Sequence, residues 1–487
     1  IYVVPLLGGE ARLLAKDGLA PRYSPDGAWV SYYKVPKTGG GTLKQMDAHE
    51  DSGSWLVSAG GGEPRALRPE LVSRHPIWAG NDFLILTGHK EGSQPDWWVT
   101  PKDGSWAKTL GVYPVLRQNI EDIAAGWSTW TPSYFENGTV VFSARTRVGA
   151  NLWRLPFTKD WEPQFPPQRV TMMSDHVISP TASANGRIAA AVMSRNNDVY
   201  EIPMDTNAGL VKGVMIRLTR AKTSEQFASI STDASLIAYT SWRNGDPGDL
   251  YLLDRKTGTE RQLTATKDWE SFPRISPDHR FLFYKWVNDS TKEQETRRLD
   301  IQSGSVETIC HTCTFMDRTA DGKSYLYGDF AGRHIYVRDF AGGEATEPVA
   351  GDKVKLWNAS LDSANRWIAF IAEVPGESEY AIYAAPYRRD ARLGRKDWIK
   401  IGTGWTPVWS PNGEWLYFDE GHESFRCLWG QKFDPVAGRP VGKRISVAHI
   451  HGDKHMLLTM NYKDRGVARD RIVFSLTETT SNIWMMK

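Results

Sequence analysis

"ISPDHRFLFYKW" (275–286) decides how this chain is read, because near-copies of it stand on either side. Upstream is "YSPDGAWVSYY" (23–33) and downstream "WSPNGEWLYFDE" (409–420). In each copy Pro fixes φ at the first turn position, Asp or Asn bonds its own backbone, and Gly or its substitute accepts positive φ, so the chain reverses. The segment after the turn, as in "WVSYY", "FLFYKW" and "WLYFDE", alternates with the period of a strand. Aligned on the turn Gly or its equivalent, the copies fall at Gly27, Gly80, Gly138, Gly186, Ala234, His279, Gly322, Asn365 and Gly413. The spacings are 53, 58, 48, 48, 45, 43, 43 and 48 residues, and a weaker tenth copy, "VARDRIVFSL" (467–476), comes one period later.

Each copy then offers a further strand, such as "DLYLLD" (249–254), "AIYAAP" (381–386) or "NIWMMK" (482–487). Several add a fourth: "EPRAL" (63–67), "IRLT" (216–219) and "RQLT" (261–264). Four short strands repeated every 45 residues or so are the pattern of a β-propeller blade, whose faces are buried only against neighbouring blades. The expected fold is therefore all-β, a β-propeller of about ten four-stranded repeats. Spacings near 45 from residue 221 onward suit a six-bladed ring. "DTNAGLVKGVMIRLT" (205–219) reads as a connector, and its "MIRLT" could complete a final blade that ends at "NIWMMK", leaving no open edge, or else simply complete the fourth blade. Two consecutive propellers are expected: 1–213, starting mid-blade and incomplete, and 214–487, six-bladed. One large ring is the alternative.

Composition agrees with an all-β chain. The 487 residues include 43 Gly, 27 Pro and 21 Trp, without long Leu/Ala/Glu runs. With 59 Lys+Arg against 57 Asp+Glu the net charge is +2, which argues against a nucleic-acid partner. No apolar stretch reaches the length of a membrane span. "IYVVPLLGG" (1–9) lacks the features of a signal peptide and reads as a strand entering a Gly-Gly turn, as if the chain began inside an element.

The "SPDG…IxY…IY…GG…LT" pattern resembles the TolB-like (WD40-like) propeller repeats, over essentially the whole chain. The endings "FRCLWGQKFDPVAGRPVG" (425–442) and "RIVFSLTETTSNIWMMK" (471–487) resemble the C-terminal propeller regions of acidobacterial-type serine/threonine kinases and winged-helix regulators. The resemblance implies a propeller that follows a membrane span in an extracytoplasmic (periplasmic or cell-surface) setting. The chain carries no kinase or DNA-binding part, so neither activity is implied.

Catalytic signatures are missing. There is no Gly-x-Ser-x-Gly elbow. "GKS" (322–324) lacks the upstream Gly of a phosphate loop, and "HESFR" (422–426) is not a zinc-protease motif. "CHTC" (310–313) has a ligand spacing without a second pair, and reads as a local disulfide or two free thiols. "HIHGDKH" brings His449, His451 and His455 together in a polar loop. No metal and no cofactor are expected. Cys427 reads as core, and Trp153, Trp367, Trp415, Trp429 and Trp484 as blade-to-blade packing.

Residues just before each "SPDG" turn strand should line the entrance of a ring. They include His75, Glu225, Trp269, Glu270, Trp357 and Trp405. Acidic and aromatic groups converging there could bind a sugar, a peptide or a cation. The function expected is a non-catalytic ligand- or protein-binding propeller, the sensory or interaction part of a bacterial signalling protein. Its partner would be a protein or a small-molecule or glycan ligand at the ring mouth. Alternatives are a propeller enzyme acting on glycans in the central channel, and a structural scaffold or surface-assembly subunit.

Overall fold

Each Ser-Pro-Asp-Gly copy in the computed structural model is a tight turn between antiparallel strands. All residues are described except 6, 35–52, 121–129, 147–148, 174, 183–186, 245–246, 330–333, 352–353, 375–379, 423–424, 451–454, 458–463 and 487. Gly186 thus lies outside the described residues. At the other aligned positions the backbone is left-handed, and Ala234 (φ 61°), His279 (59°) and Asn365 (54°) take the same conformation as Gly27 (70°) and Gly413 (72°). The Ser-x-Asp spacing has a mechanical reason. Ser231 Oγ donates to Asp233 Oδ1 at 2.7 Å, and that same oxygen accepts the Ser235 N–H at 3.0 Å. Thr319 and Asp321 repeat the arrangement, with Thr319 Oγ1 donating at 2.6 Å and the Lys323 N–H at 3.1 Å. The side chains hold the turn closed while the backbone reverses.

The chain divides into two compact units, Ile1–Ser194 with Thr480–Lys487, and Arg195–Thr479. The first contains two four-stranded antiparallel sheets in which sequence neighbours pair, and a third set of four such strands that belongs to a larger sheet through a parallel pairing of Ala150 with His176. Their first strands are Leu19–Tyr23, Val72–Ala79 and Trp130–Glu136. A helix, Val112–Asn119, buries Val112, Tyr113 and Leu116 in a core with Trp97 and Phe142. His176–Ala182 and the start of the long strand Ile188–Asp205 form the last sheet of this unit.

In the second unit five sheets begin with the strands Glu225–Ile230, Trp269–Ile275, Cys313–Arg318, Lys355–Leu361 and Trp405–Trp409. A sixth sheet is assembled from both ends of the unit. Arg465–Ala468 pairs with Arg471–Met486, which lies beside Ile188–Asp205, which in turn pairs with Ile216–Arg217. Thr477 Oγ1 donates to Asn197 Oδ1 at 2.5 Å, and Arg471 Nη1 to Glu201 Oε1 at 2.8 Å, across the junction. Consecutive sheets pack face to face in order, and Arg465–Ala468 packs on Glu225–Ile230, so the six form a cycle.

"MIRLT" does supply the outermost strand of that sheet, but its neighbour is Tyr200–Glu201 and not "NIWMMK". The burial pattern explains why. Ile472, Val473, Phe474 and Leu476 are buried on both faces of the sheet, as are Val199 and Ile202. By contrast Ile483, Trp484 and Met485 are 80, 52 and 72% exposed, and Thr480–Lys487 groups with the first unit through Met486. Trp484 is therefore not packed between sheets, whereas Trp367 and Trp415 are. The fold class is the expected one: all-β, a propeller of four-stranded sheets.

Candidate functional site

Every first strand that carries a register break breaks it at one place. Two residues are skipped between Arg74 and Ile77, Gln226 and Ser229, Ser271 and Arg274, Trp357 and Ser360, and Trp405 and Val408. The first skipped residue is left-handed each time: His75 (φ 52°), Phe227 (63°), Phe272 (56°), Asn358 (50°) and Thr406 (51°). Such a bulge resets which side chains face inward. The residue that resumes pairing is Ser229, Arg274, Asp317, Ser360 or Val408 in the second unit, and all five line one cavity.

That cavity has a volume of about 440 Å³ and draws its wall from the first strands of all six sheets of the second unit. Its charged lining is Arg274, Arg318, Arg465, Asp317 and Asp362. Apolar surface comes from Phe283, Phe315, Leu361, Trp409 and Val467 among others. Phe283 and Phe315 stack with centroids 4.7 Å apart.

The acids are held by neighbouring strands. Asp317 Oδ1 accepts the Arg318 N–H at 2.9 Å, and its Oδ2 accepts the Leu361 N–H at 2.9 Å and Ser360 Oγ at 3.2 Å. Asp362 accepts the Trp367 N–H at 2.9 Å and Arg366 Nε at 3.0 Å. Behind the wall, Asp464 Oδ1 accepts the Ala228 N–H at 2.9 Å and Ser475 Oγ at 2.7 Å, and burial raises its pKa. Arg465 donates to Thr406 O at 3.0 Å and to Asp419 Oδ1 at 2.9 Å. Asp317 and Asp464 thus staple one first strand to the next, while Asp362 holds its own turn. Burial lowers the pKa of Arg274 to about 10, opposed by Asp464 and then Asp317, and also lowers that of Arg318, opposed by Asp317 and then Asp278. The Nε atoms of Arg318 and Arg465 are buried without a hydrogen-bond partner.

The residues expected at the ring mouth lie at the other end of the same strands. Glu225 and Glu270 each stand two residues before a bulge, at matching positions of adjacent sheets. Both are buried rather than open to solvent. Glu225 Oε1 accepts Ser241 Oγ at 3.2 Å and is also paired with Arg243, which reaches Glu260 at 2.6 Å. Burial pushes Glu270 up to about 7, opposed by hydrogen bonds from Thr264 and Thr266. Trp269 meets Trp242 at 6.3 Å, and Phe227 meets Phe272 at 4.1 Å. Trp357 and Trp405 are joined through Tyr380, at 5.5 and 5.7 Å, with the Arg426 guanidinium 3.8 Å over Trp405. His75 belongs to the first unit, against Tyr33 at 4.7 Å; burial first, then Arg74 and Arg22, lowers its pKa to about 4.

Cys310 and Cys313 form a disulfide between consecutive sheets, and Cys427 is buried and free. His449 packs edge-on to Trp429 at 5.7 Å, while His451 lies outside the described residues. Among the described residues no group of three or more His, Cys, Asp or Glu could hold a metal, and no helix is long and apolar enough to cross a membrane.

No protein-family model and no curated protein sequence matches the chain. Solved structures do resemble it in fold. TolB from Acinetobacter baumannii is similar at 13% identity and TM-score 0.41, covering 76% of this chain and 93% of its own. An oligogalacturonate lyase in complex with manganese is similar at 12% identity and TM-score 0.34, covering 57% of this chain and 97% of its own. A chain of a nidogen/laminin complex is similar at 8% identity and TM-score 0.37, covering 51% and 93%.

Proposed function

We propose that the chain is a non-catalytic binding module whose site is the cavity on the axis of the six-sheet cycle in its second unit. One observation carries this reading. Six strands distant in sequence present apolar side chains, three arginines and two aspartates to one space of about 440 Å³. Closure of a propeller needs no such arrangement, and a space of this size and mixed lining suits a small molecule or the tip of a protein loop. The aromatic and acidic groups at the strand beginnings, Glu225, Trp269, Glu270, Trp357 and Trp405, belong in this reading to the opposite rim. There they shape access to the axis, and His75 would take the corresponding place in the first unit.

The same reading makes the second unit a six-bladed propeller and the first a separate one. The resemblance of the chain's ending to propellers of bacterial signalling proteins supports a sensory role outside the cytoplasm. A test is a thermal-shift screen of small metabolites against the parent and Val408→Trp, which fills the cavity from its wall. Compounds that raise the melting temperature of the parent and not of the variant support the reading. Compounds that act equally on both remove it.

A further inference from the structure

Resting on that reading of the cavity, we infer that its ligand carries an oxyanion, a carboxylate or a phosphate monoester, seated at Arg318 beside Arg274, with an apolar body against Phe283, Phe315 and Trp409. The charge balance of the wall is the first reason. Three guanidiniums and two carboxylates line the space, and Asp362 is already engaged by Arg366 and by backbone N–H groups. Asp419, which receives Arg465, is shared with Arg426 at 3.3 Å, so two cations answer to one carboxylate there. Within the lining Asp317 stands against Arg274 and Arg318 while its oxygens also serve Leu361 and Ser360, and Asp464 behind the wall, whose pKa burial raises, also faces Arg274. Asp278 also faces Arg318, but it is committed to its own turn through Ser276 and the Arg280 N–H.

Hydrogen-bonding capacity is the second reason. A guanidinium presents a planar fork of donors matched to two oxygens, and buried donors left without partners are costly. The Arg318–Asp317 approach is 3.8 Å, too long for a hydrogen bond. The Arg318 Nε and the Arg465 Nε, the latter on a side chain only 3% exposed, have no partner in the protein. An oxyanion at Arg318, which lines the cavity, would give its guanidinium the close charged partner that Asp317 at 3.8 Å does not. The stacked Phe283–Phe315 pair and Trp409 supply an apolar wall for the remainder of the ligand.

Calorimetric titration of the full chain with phenyl phosphate, benzoate, benzyl alcohol and benzylamine tests this. One or both of the anions should bind about tenfold or more tightly than benzyl alcohol, more weakly as salt rises, and benzylamine should not bind. Whichever anion binds better identifies the phosphate or the carboxylate source. Arg318→Gln should weaken anion binding about tenfold or more, and Arg318→Lys, which keeps the charge and the fold, should lose less. Anion affinity unchanged in a folded Arg318 variant overturns the inference, as does the absence of heat with either anion. Benzyl alcohol or benzylamine bound as tightly as the anions, and lost in Val408→Trp, also overturns it while leaving the cavity as the binding site. Anion binding that survives Val408→Trp overturns both.

Discussion

Gly413 shows how much a single turn position carries. Its φ of 72° is open to Gly and strained for a β-branched residue, and a Cβ there would stand 3.0 Å from Asp362 Oδ2 and 3.1 Å from Arg366 of the neighbouring sheet. Gly413→Val should therefore destabilise the protein by roughly 1–3 kcal/mol, read from denaturant unfolding, and an unchanged midpoint would contradict the strain. Glu270 makes a second prediction, whose sign is set by burial. Its carboxyl is held near 7 against an ordinary 4.5, so between those values the folded state keeps a proton that the unfolded chain has released. Stability contributed by the neutral form is complete below about 4.5 and is lost as pH rises through about 7, to the extent of about 3 kcal/mol. Glu270→Gln has no proton to lose, so the variant should gain on the parent as pH rises from 4.5 to 7.5; a constant difference between their melting temperatures over that range would refute the burial effect. The residue types at these two positions were readable from the sequence, and the left-handed turn at Gly413 with them. That Glu225 and Glu270 are buried was not. A carboxylate ahead of a turn motif looks the same whether it faces solvent or, like Glu225, an arginine eighteen residues on.

At the scale of elements, the turns were legible and the bulges were not. Asp-Gly and Asn-Gly reverse the chain through local chemistry, whereas Phe227, Phe272 and Thr406 give no local sign that they adopt positive φ in mid-strand, and Asn358, a residue type that tolerates it, lies in no turn motif. Strict alternation carried through those bulges puts the wrong side chains inward. For that reason Arg274, Asp317 and Arg318 did not emerge as candidates, although each lies within a few residues of a quoted turn. Strand exchange was visible in outline from "MIRLT", but the partner was misread because "DVYEIP" (198–203) and "NIWMMK" have the same alternating pattern. Only burial separates them. Gly466 tests the closure directly. A Cβ there would lie 2.7 Å from the backbone N of Ile230, across the junction between the last and first sheets of the second unit. Gly466→Ala should push these strands apart and cost about 1–3 kcal/mol, measured by denaturant unfolding. A neutral effect would mean that the two strands do not approach in solution as they do here.

For the molecule as a whole, repeat geometry turns scattered residues into one site. Each sheet contributes only three to six residues, and no stretch of the sequence contains a recognisable motif for the cavity. The sequence pattern predicted convergence at one end of the first strands, near Glu225 and Trp269; the arginine-lined cavity lies at the other, beside the turns. Hydrogen–deuterium exchange with and without the compound that most raises the melting temperature separates the two ends in one experiment. If the turn-end cavity is the site, protection should appear together in segments spanning 229–232, 274–277, 315–320, 360–363, 408–411 and 465–467, which come from six different sheets. Protection confined to the strand beginnings around 225, 269–270, 357 and 405, or absent from the second unit altogether, would contradict it.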